Sequence, residues 1–158
     1  MKILQIYELG PLDGEKVYSG IDVAILELSK HLSYLGHEVT ILTGAGKAED
    51  TSAEIDGIKI ISADFADLMK RTYDPVNLKF VRQLLFPFIG LREKLGGFDI
   101  YHGHIYTSGL LSAYLARRHG AKSVNTIHGS YYPVWEEIAS LPVAKFYKAS
   151  ERVLAPLL

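Results

Sequence analysis

Apolar residues near the start of the chain follow two rhythms. Ile3, Leu4, Ile6 and Tyr7 form a short, nearly unbroken apolar run, the composition of a strand covered on both faces. From Ile21 the spacing changes. Ile21, Ala24, Ile25, Leu28, Leu32 and Leu35 recur at helical intervals and predict a helix from about Gly20 to Leu35 with one apolar stripe. Gly36 stands where a left-handed glycine ends a helix, and Glu38 to Thr43 reads as a second strand. Between the first strand and the helix lies a long loop, Glu8 to Ser19, with Gly10, Pro11 and Gly14. The pattern is a βαβ unit in which Ser19-Gly20 opens the helix.

The same alternation continues. Gly44 to Gly57 reads as a polar loop with a hairpin-like turn, and Ile58 to Ser62 as a third strand. Asp64 to Tyr73 fits neither period. Asp74-Pro75 resembles an N-cap followed by a first-turn proline. It precedes a helical pattern of Val81, Leu84, Leu85, Phe88 and Leu95 that Pro87 should kink or split and Gly96-Gly97 should end. A fourth strand is expected over Phe98 to His102, then a helix capped by Thr107-Ser108, running through Arg118 and closed by Gly120. A fifth strand is expected over Ser123 to Ile127. After Tyr131, Tyr132 and Pro133, a last helical stretch runs from about Val143 to Leu154.

Strands alternating with helices predict an α/β fold, a Rossmann-like doubly wound parallel sheet in the order 3-2-1-4-5. Strands one, four and five are nearly all apolar, as central strands are. Such sheets bind ligands beyond the carboxyl ends of their strands, where loops begin at Tyr7, His102 and Ile127. The chain stops within a helix, at Leu154-Ala155-Pro156-Leu157-Leu158, before a strand that would complete a six-stranded layer. It reads as a fragment of a longer protein.

Composition narrows the picture modestly. The 158 residues are 48% hydrophobic and 22% charged, enough for one domain with a core. A net charge of -1 offers no positive field for nucleic acid. There are no cysteines, which removes disulfides and thiolate metal sites and fits a reducing compartment. The first apolar run is too short for a signal peptide or a membrane span, so a cytoplasmic location is expected.

The candidate chemistry sits in the three loops. Ser19-Gly20 puts unpaired backbone N–H groups and the positive end of a helix dipole over the sheet, a natural place for the phosphate of a nucleotide-like ligand. The plainer reading is that Gly20 only eases a tight turn. A dehydrogenase fingerprint needs its glycines in one short turn; Gly10, Gly14 and Gly20 are spread too widely. Gly44-Ala45-Gly46-Lys47 imitates the tail of a P-loop but lacks its first glycine (Ile41) and its magnesium-binding hydroxyl (Ala48). His102 and His104 share one face if their strand continues. With His128 they make a conceivable metal trio, but no acidic residue nearby completes a shell, and no metal is expected. The favoured picture is one of the pair supporting the loop and the other facing the cleft. His128-Gly129, at the end of strand five, can touch a ligand as donor, acceptor or cation. Tyr131, Tyr132 and Trp135 read either as a sugar-stacking surface or as an aromatic lid on the core. Lys70, Arg71, Lys79 and Arg82, near Phe80, Phe86 and Phe88, read either as a solvated helix face or as a peripheral contact with the inner face of a membrane.

Taken in order, Lys2-Ile3-Leu4-Gln5-Ile6, Ser19-Gly20, Gly36-His37-Glu38-Val39-Thr40, Asp56-Gly57-Ile58-Lys59-Ile60, Phe98-Asp99-Ile100-Tyr101-His102-Gly103-His104 and Thr126-Ile127-His128-Gly129 resemble the N-terminal domain of family 4 glycosyltransferases. These are the retaining GT-B enzymes that include glycogen synthases and many mannosyl-, galactosyl- and glucosyltransferases. The resemblance implies that residues 1–158 are the acceptor-side half of a two-domain enzyme whose nucleotide-sugar domain follows. It implies a UDP-, GDP- or ADP-linked sugar as co-substrate, a glycan, lipid or small molecule as acceptor, and no cofactor or metal. By the same resemblance Ser19 and Gly20 touch the donor diphosphate and His128 lies beside the transferred sugar as the catalytic residue. His104, Tyr106, Gly129 and Tyr131 meet the acceptor. Ser19 stands where the family commonly has glycine. Without the second half the fragment is expected to be nearly inactive. Two other readings remain at this stage: a non-catalytic Rossmann-like binding or interaction module, and a relative of UDP-sugar epimerases.

Overall fold

In the computed structural model the described residues are 1–11, 19–45, 52–63, 85–88, 90–91, 94–129, 133–138 and 140–154. Along them run β1 (Lys2–Pro11), α1 (Gly20–Tyr34), β2 (Glu38–Ala45), β3 (Ser52–Ile55), β4 (Ile58–Ser62), β5 (Ile100–His104), α2 (Ile105–His119), β6 (Lys122–Thr126), α3 (Trp135–Ile138) and α4 (Leu141–Leu154). The ambiguous Asp64–Tyr73 stretch, the Asp74-Pro75 cap, Val81, Leu84, the basic cluster at Lys70, Arg71, Lys79 and Arg82, and Tyr131 with Tyr132 lie outside the described residues.

The strands form one sheet in the order β3-β4-β2-β1-β5-β6. Every pairing is parallel except β3 with β4. The expected α/β class and the five-strand parallel order are therefore present. The sixth strand, β3, arises inside the segment read as a polar loop. Ser52–Ile55 folds back on β4 through Asp56-Gly57, both in the left-handed region (φ 51 and 78), the backbone that a two-residue Asp-Gly hairpin demands.

Period-two alternation divides the core between the two faces. Leu4, Ile6, Leu42 and Tyr101 pack with Phe86 and with Leu111 and Leu115 of α2. Tyr7, Val39, Ile41, Ile58 and Ile60 pack with Ile25 of α1. Each fully buried aliphatic chain stabilises the fold by about 1.5–3 kcal/mol.

Several boundaries move. β1 does not stop at Tyr7; it runs on to Pro11 with an irregularity in its pairing to β2, and Glu8 is buried within it. β5 is shifted to Ile100–His104 and α4 begins at Leu141. β6 is an edge strand whose first three residues are exposed and last two half-buried, not a covered one, and Val124 is 43% exposed. The stripe on α1 is turned slightly from the expected one. Asp22, Ile25 and Ser29 are buried, flanked by Ile21, Leu26 and Leu32, whereas Leu28 and Leu35 are 37% and 69% exposed. The turn is set by the cap: Ser19 Oγ accepts from the Asp22 backbone N–H and donates to the Asp22 carboxylate, so Asp22 must face inward. Gly36 closes α1 as expected: with φ 83, its N–H bonds Ser33 and the next N–H bonds Leu32, a Schellman pattern.

Candidate active site at the carboxyl edge of the sheet

β1, β5 and β6 deliver their C-terminal residues to one edge. On the α1 face of that edge the side chains of β1 and β5 alternate so that Gln5, Tyr7, His102 and His104 stand together. The two histidines do share a face, and their rings stack with centroids 4.3 Å apart. The structure then departs from the picture of one supporting and one cleft-facing ring. His102 is nearly buried, its Nε2 2.7 Å from Thr126 Oγ1. His104 is 1% exposed, with Nε2 2.7 Å from Gln5 Oε1 and Nδ1 2.9 Å from His128 Nε2. His128 stacks on His104 at 5.1 Å and is exposed to solvent, as is Gly129. The ring that faces outward is therefore His128, and the pair behind it is its support.

Burial keeps these rings neutral. It lowers His102 to about 4 and His104 to about 3, with repulsion from neighbouring imidazoles adding to it. Burial lowers His128 as well. The ring nitrogens bond side chains and each other, and no group of three His, Cys, Asp or Glu side chains suited to a metal ion occurs among the described residues.

Ser19 and Gly20 lie exposed at the start of α1. The Tyr7 hydroxyl is hydrogen-bonded to Ser19, although burial pushes its pKa upward. Two short polar runs lie along this edge, Ser19 with Tyr7 at the helix start and Gln5 with His104 and His128 beside it; the buried Gln5 Nε2 has no hydrogen-bond partner among the described residues. Gly20 has no left-handed φ, and a Cβ placed on it meets nothing within 4 Å among the described residues. Neither backbone strain nor packing against those residues requires glycine there.

Behind β1, on the α2 face, the sheet edge is arranged differently. Thr107 and Ser108 do not cap α2. Its N-cap is His104, without a side-chain bond, and both hydroxyls donate to the buried Glu8 carboxylate, Thr107 at 2.8 Å. Burial raises Glu8 from its ordinary 4.5 to about 7, against the lowering effect of those hydroxyls. No loop separates β5 from α2. The chain turns through Ile105 at φ 62, a conformation costing a β-branched residue about 1–2 kcal/mol. The tight join depends on Gly103 and Gly109, since a Cβ on Gly103 would lie 2.5 Å from the Gly109 Cα.

Tyr106 is half-buried and hydrogen-bonded to Glu151 of α4; burial and that carboxylate push its pKa up to about 12. Trp135 donates to the same carboxylate at 2.6 Å and stacks on Tyr147 at 4.3 Å, so it joins α3 to α4. Phe86 is buried and Phe88 is exposed. No helix among the described residues is long and apolar enough to cross a membrane. Gln5, Glu8, Asp22 and Thr126 are site-edge residues that the sequence reading did not single out. Only Asp22, three residues after Ser19, carried a local signal, that of a capping box.

This is the layout of a doubly wound α/β layer with its polar side chains gathered at the switch between β1 and β5. The chain belongs to Glycosyltransferase Family 4, whose family model matches residues 18–157. It is 32% identical over 114 residues to the D-inositol 3-phosphate glycosyltransferase of Frankia alni, a match covering 69% of this chain and 28% of that protein. Sucrose-phosphate synthase from Thermosynechococcus elongatus superposes with a TM-score of 0.68 at 20% identity, over 97% of this chain and 39% of the other. A second structure of that enzyme superposes at 0.54 with 19% identity, over 87% and 71%. At such identities the structural likeness speaks for the shared GT-B fold. The chain spans little more than a quarter of the curated relative and about two-fifths of the first structural one.

Proposed function

We infer that this chain forms the acceptor-side half of a retaining glycosyltransferase that moves a sugar from a UDP-, GDP- or ADP-linked donor to a hydroxyl acceptor. The observation that carries the reading is the gathering of Ser19-Gly20 with Tyr7, and of Gln5 with His104 and His128, along one edge of the sheet. It offers an open helix start for a diphosphate and, a few side chains away, a neutral exposed imidazole for the sugar. Family membership favours transfer over a purely structural module or an epimerase.

In this reading the backbone N–H groups and the dipole at the start of α1 stabilise the charge that builds on the departing diphosphate. Gly20 permits close backbone approach. His128 orients the sugar, and Gly129, Tyr106 and Tyr131 border the acceptor. His104 is too buried to touch an acceptor and acts through His128. The remainder of the donor site comes from a second domain, and the 158 residues alone turn over little because half a cleft neither orients the donor nor excludes water.

The test is a donor screen on the protein joined to its second domain, reading released nucleotide, with D-inositol 3-phosphate, the acceptor in the curated relative's name, tried first. Product anomeric configuration checks retention. The expected result is turnover with one donor and a retained anomer, and the His128→Ala variant should lose roughly 100-fold in turnover. Turnover within about twofold of wild type for that variant would make His128 structural.

A further inference from the structure

Gln5 is fully buried on β1, one strand away from His104 and two from His128. Its amide oxygen lies 2.7 Å from His104 Nε2, and an amide oxygen only accepts. The proton of the neutral His104 ring must then sit on Nε2. That leaves His104 Nδ1 as a bare lone pair, 2.9 Å from His128 Nε2. A hydrogen bond across that distance requires His128 to carry its own proton on Nε2. We propose that Gln5 and His104 are positioning residues that lock His128 in the Nε2–H tautomer, so that its Nδ1 is presented to the ligand as an acceptor only.

The consequence is chemical selection. A bare Nδ1 takes a hydrogen bond from a hydroxyl and repels a phosphate or carboxylate oxygen, which offers no proton. His128 is thereby fitted to a sugar hydroxyl and not to the diphosphate, which is left to the start of α1. The stacking of His102 on His104 and of His104 on His128, at 4.3 and 5.1 Å, keeps the three rings from turning over. His102, held by Thr126 Oγ1, supports the stack without joining the relay. This inference rests on the proposed role of His128 beside the sugar for its link to turnover, but the tautomer itself does not.

Nitrogen-15 spectroscopy of the imidazoles at neutral pH reads the tautomer directly. In the wild-type protein the His128 Nδ1 resonance should fall at the unprotonated position and Nε2 at the protonated one. Gln5→Met, similar in size but unable to accept strongly, should move both resonances toward the average of mixed tautomers. Gln5→Glu keeps an acceptor and should preserve the wild-type pattern. In the two-domain enzyme Gln5→Met should lower kcat about tenfold, equivalent to ~1.4 kcal/mol, with a smaller change in donor KM. A wild-type His128 protonated on Nδ1, or one whose resonances do not move in Gln5→Met, overturns the relay. The wild-type spectrum decides the matter even if the variants fold poorly. If the resonances move as expected while His128→Ala retains turnover, the relay stands and the proposed function of His128 falls.

Discussion

α1 and α2 both begin at the carboxyl edge of the sheet, and both aim the positive end of a helix dipole at the region where a ligand would sit. They are finished in opposite ways. α1 is capped by its own Ser19 and Asp22, and its first residues are exposed. The first turn of α2 is half-buried, with Ser108 fully buried, and its two hydroxyls are spent on Glu8, reaching from β1. Two helix starts that look alike in topology are therefore unlike in availability. The first carries a carboxyl group from within its own first turn and leaves Ser19 and Gly20 exposed, whereas the second receives a carboxyl group from the neighbouring strand. Topology nominates both places, and the neighbouring side chains decide between them.

Removing the occupant should have the largest effect. Glu8→Leu leaves the Thr107 and Ser108 hydroxyls buried without an acceptor and should cost about 2–3 kcal/mol in urea unfolding. Glu8→Gln, which keeps an acceptor oxygen, should stay within about 1 kcal/mol of wild type at pH 5. Equal losses for the two variants would mean that the cluster is held by packing and not by hydrogen bonds.

A second distinction is visible in pH dependence. Glu8 has a raised pKa in the folded state, so its favourable contribution is complete below 4.5 and is lost as pH climbs to about 7. His102 and His104 have depressed values, so theirs is complete above 6.5 and is lost as pH falls through about 4 and 3. Between 4.5 and 6.5 the two clusters oppose each other, and the two histidines outweigh the single carboxyl. Stability should rise with pH across that window. Glu8→Gln should steepen the rise by removing the opposing group. A slope unchanged in Glu8→Gln would show that Glu8 titrates normally.

The open helix start is probed by smaller changes. Ser19→Ala should cost about 1 kcal/mol by removing the cap. Gly20→Ala should stabilise the chain by about 0.5 kcal/mol, because the position needs no glycine for its backbone, yet raise the KM for donor in the two-domain enzyme. A Gly20→Ala enzyme with unchanged KM would show that no ligand approaches that backbone closely.

Much of this arrangement was readable from the residues. The apolar run Ile3–Tyr7, the helical stripe ending at Gly36 and the glycine at 120 are local signals, and they place most of the parallel layer. The shared face of His102 and His104 follows from their spacing alone. What was not readable depends on distant partners. Glu8 looks like the polar end of a strand, because the hydroxyls that let it be buried lie about a hundred residues away. Gln5 looks like an interruption in an apolar run until His104 is set beside it. Ser52–Ile55 is too weakly apolar to announce a strand, and pairing with β4 supplies the stabilisation its own sequence lacks. Thr107 and Ser108 have the right chemistry for a cap, but a carboxyl on the neighbouring strand claims them.

The join at Ile105 leaves no slack. With a strand residue on one side and a helix residue on the other, adding a single amino acid there would swing α2 by about 100° about its axis. Thr107 and Ser108 would face away from β1, and Gly109 would no longer nestle against Gly103. Relatives that differ in length should therefore carry their insertions elsewhere, and this corner should hold its spacing residue for residue.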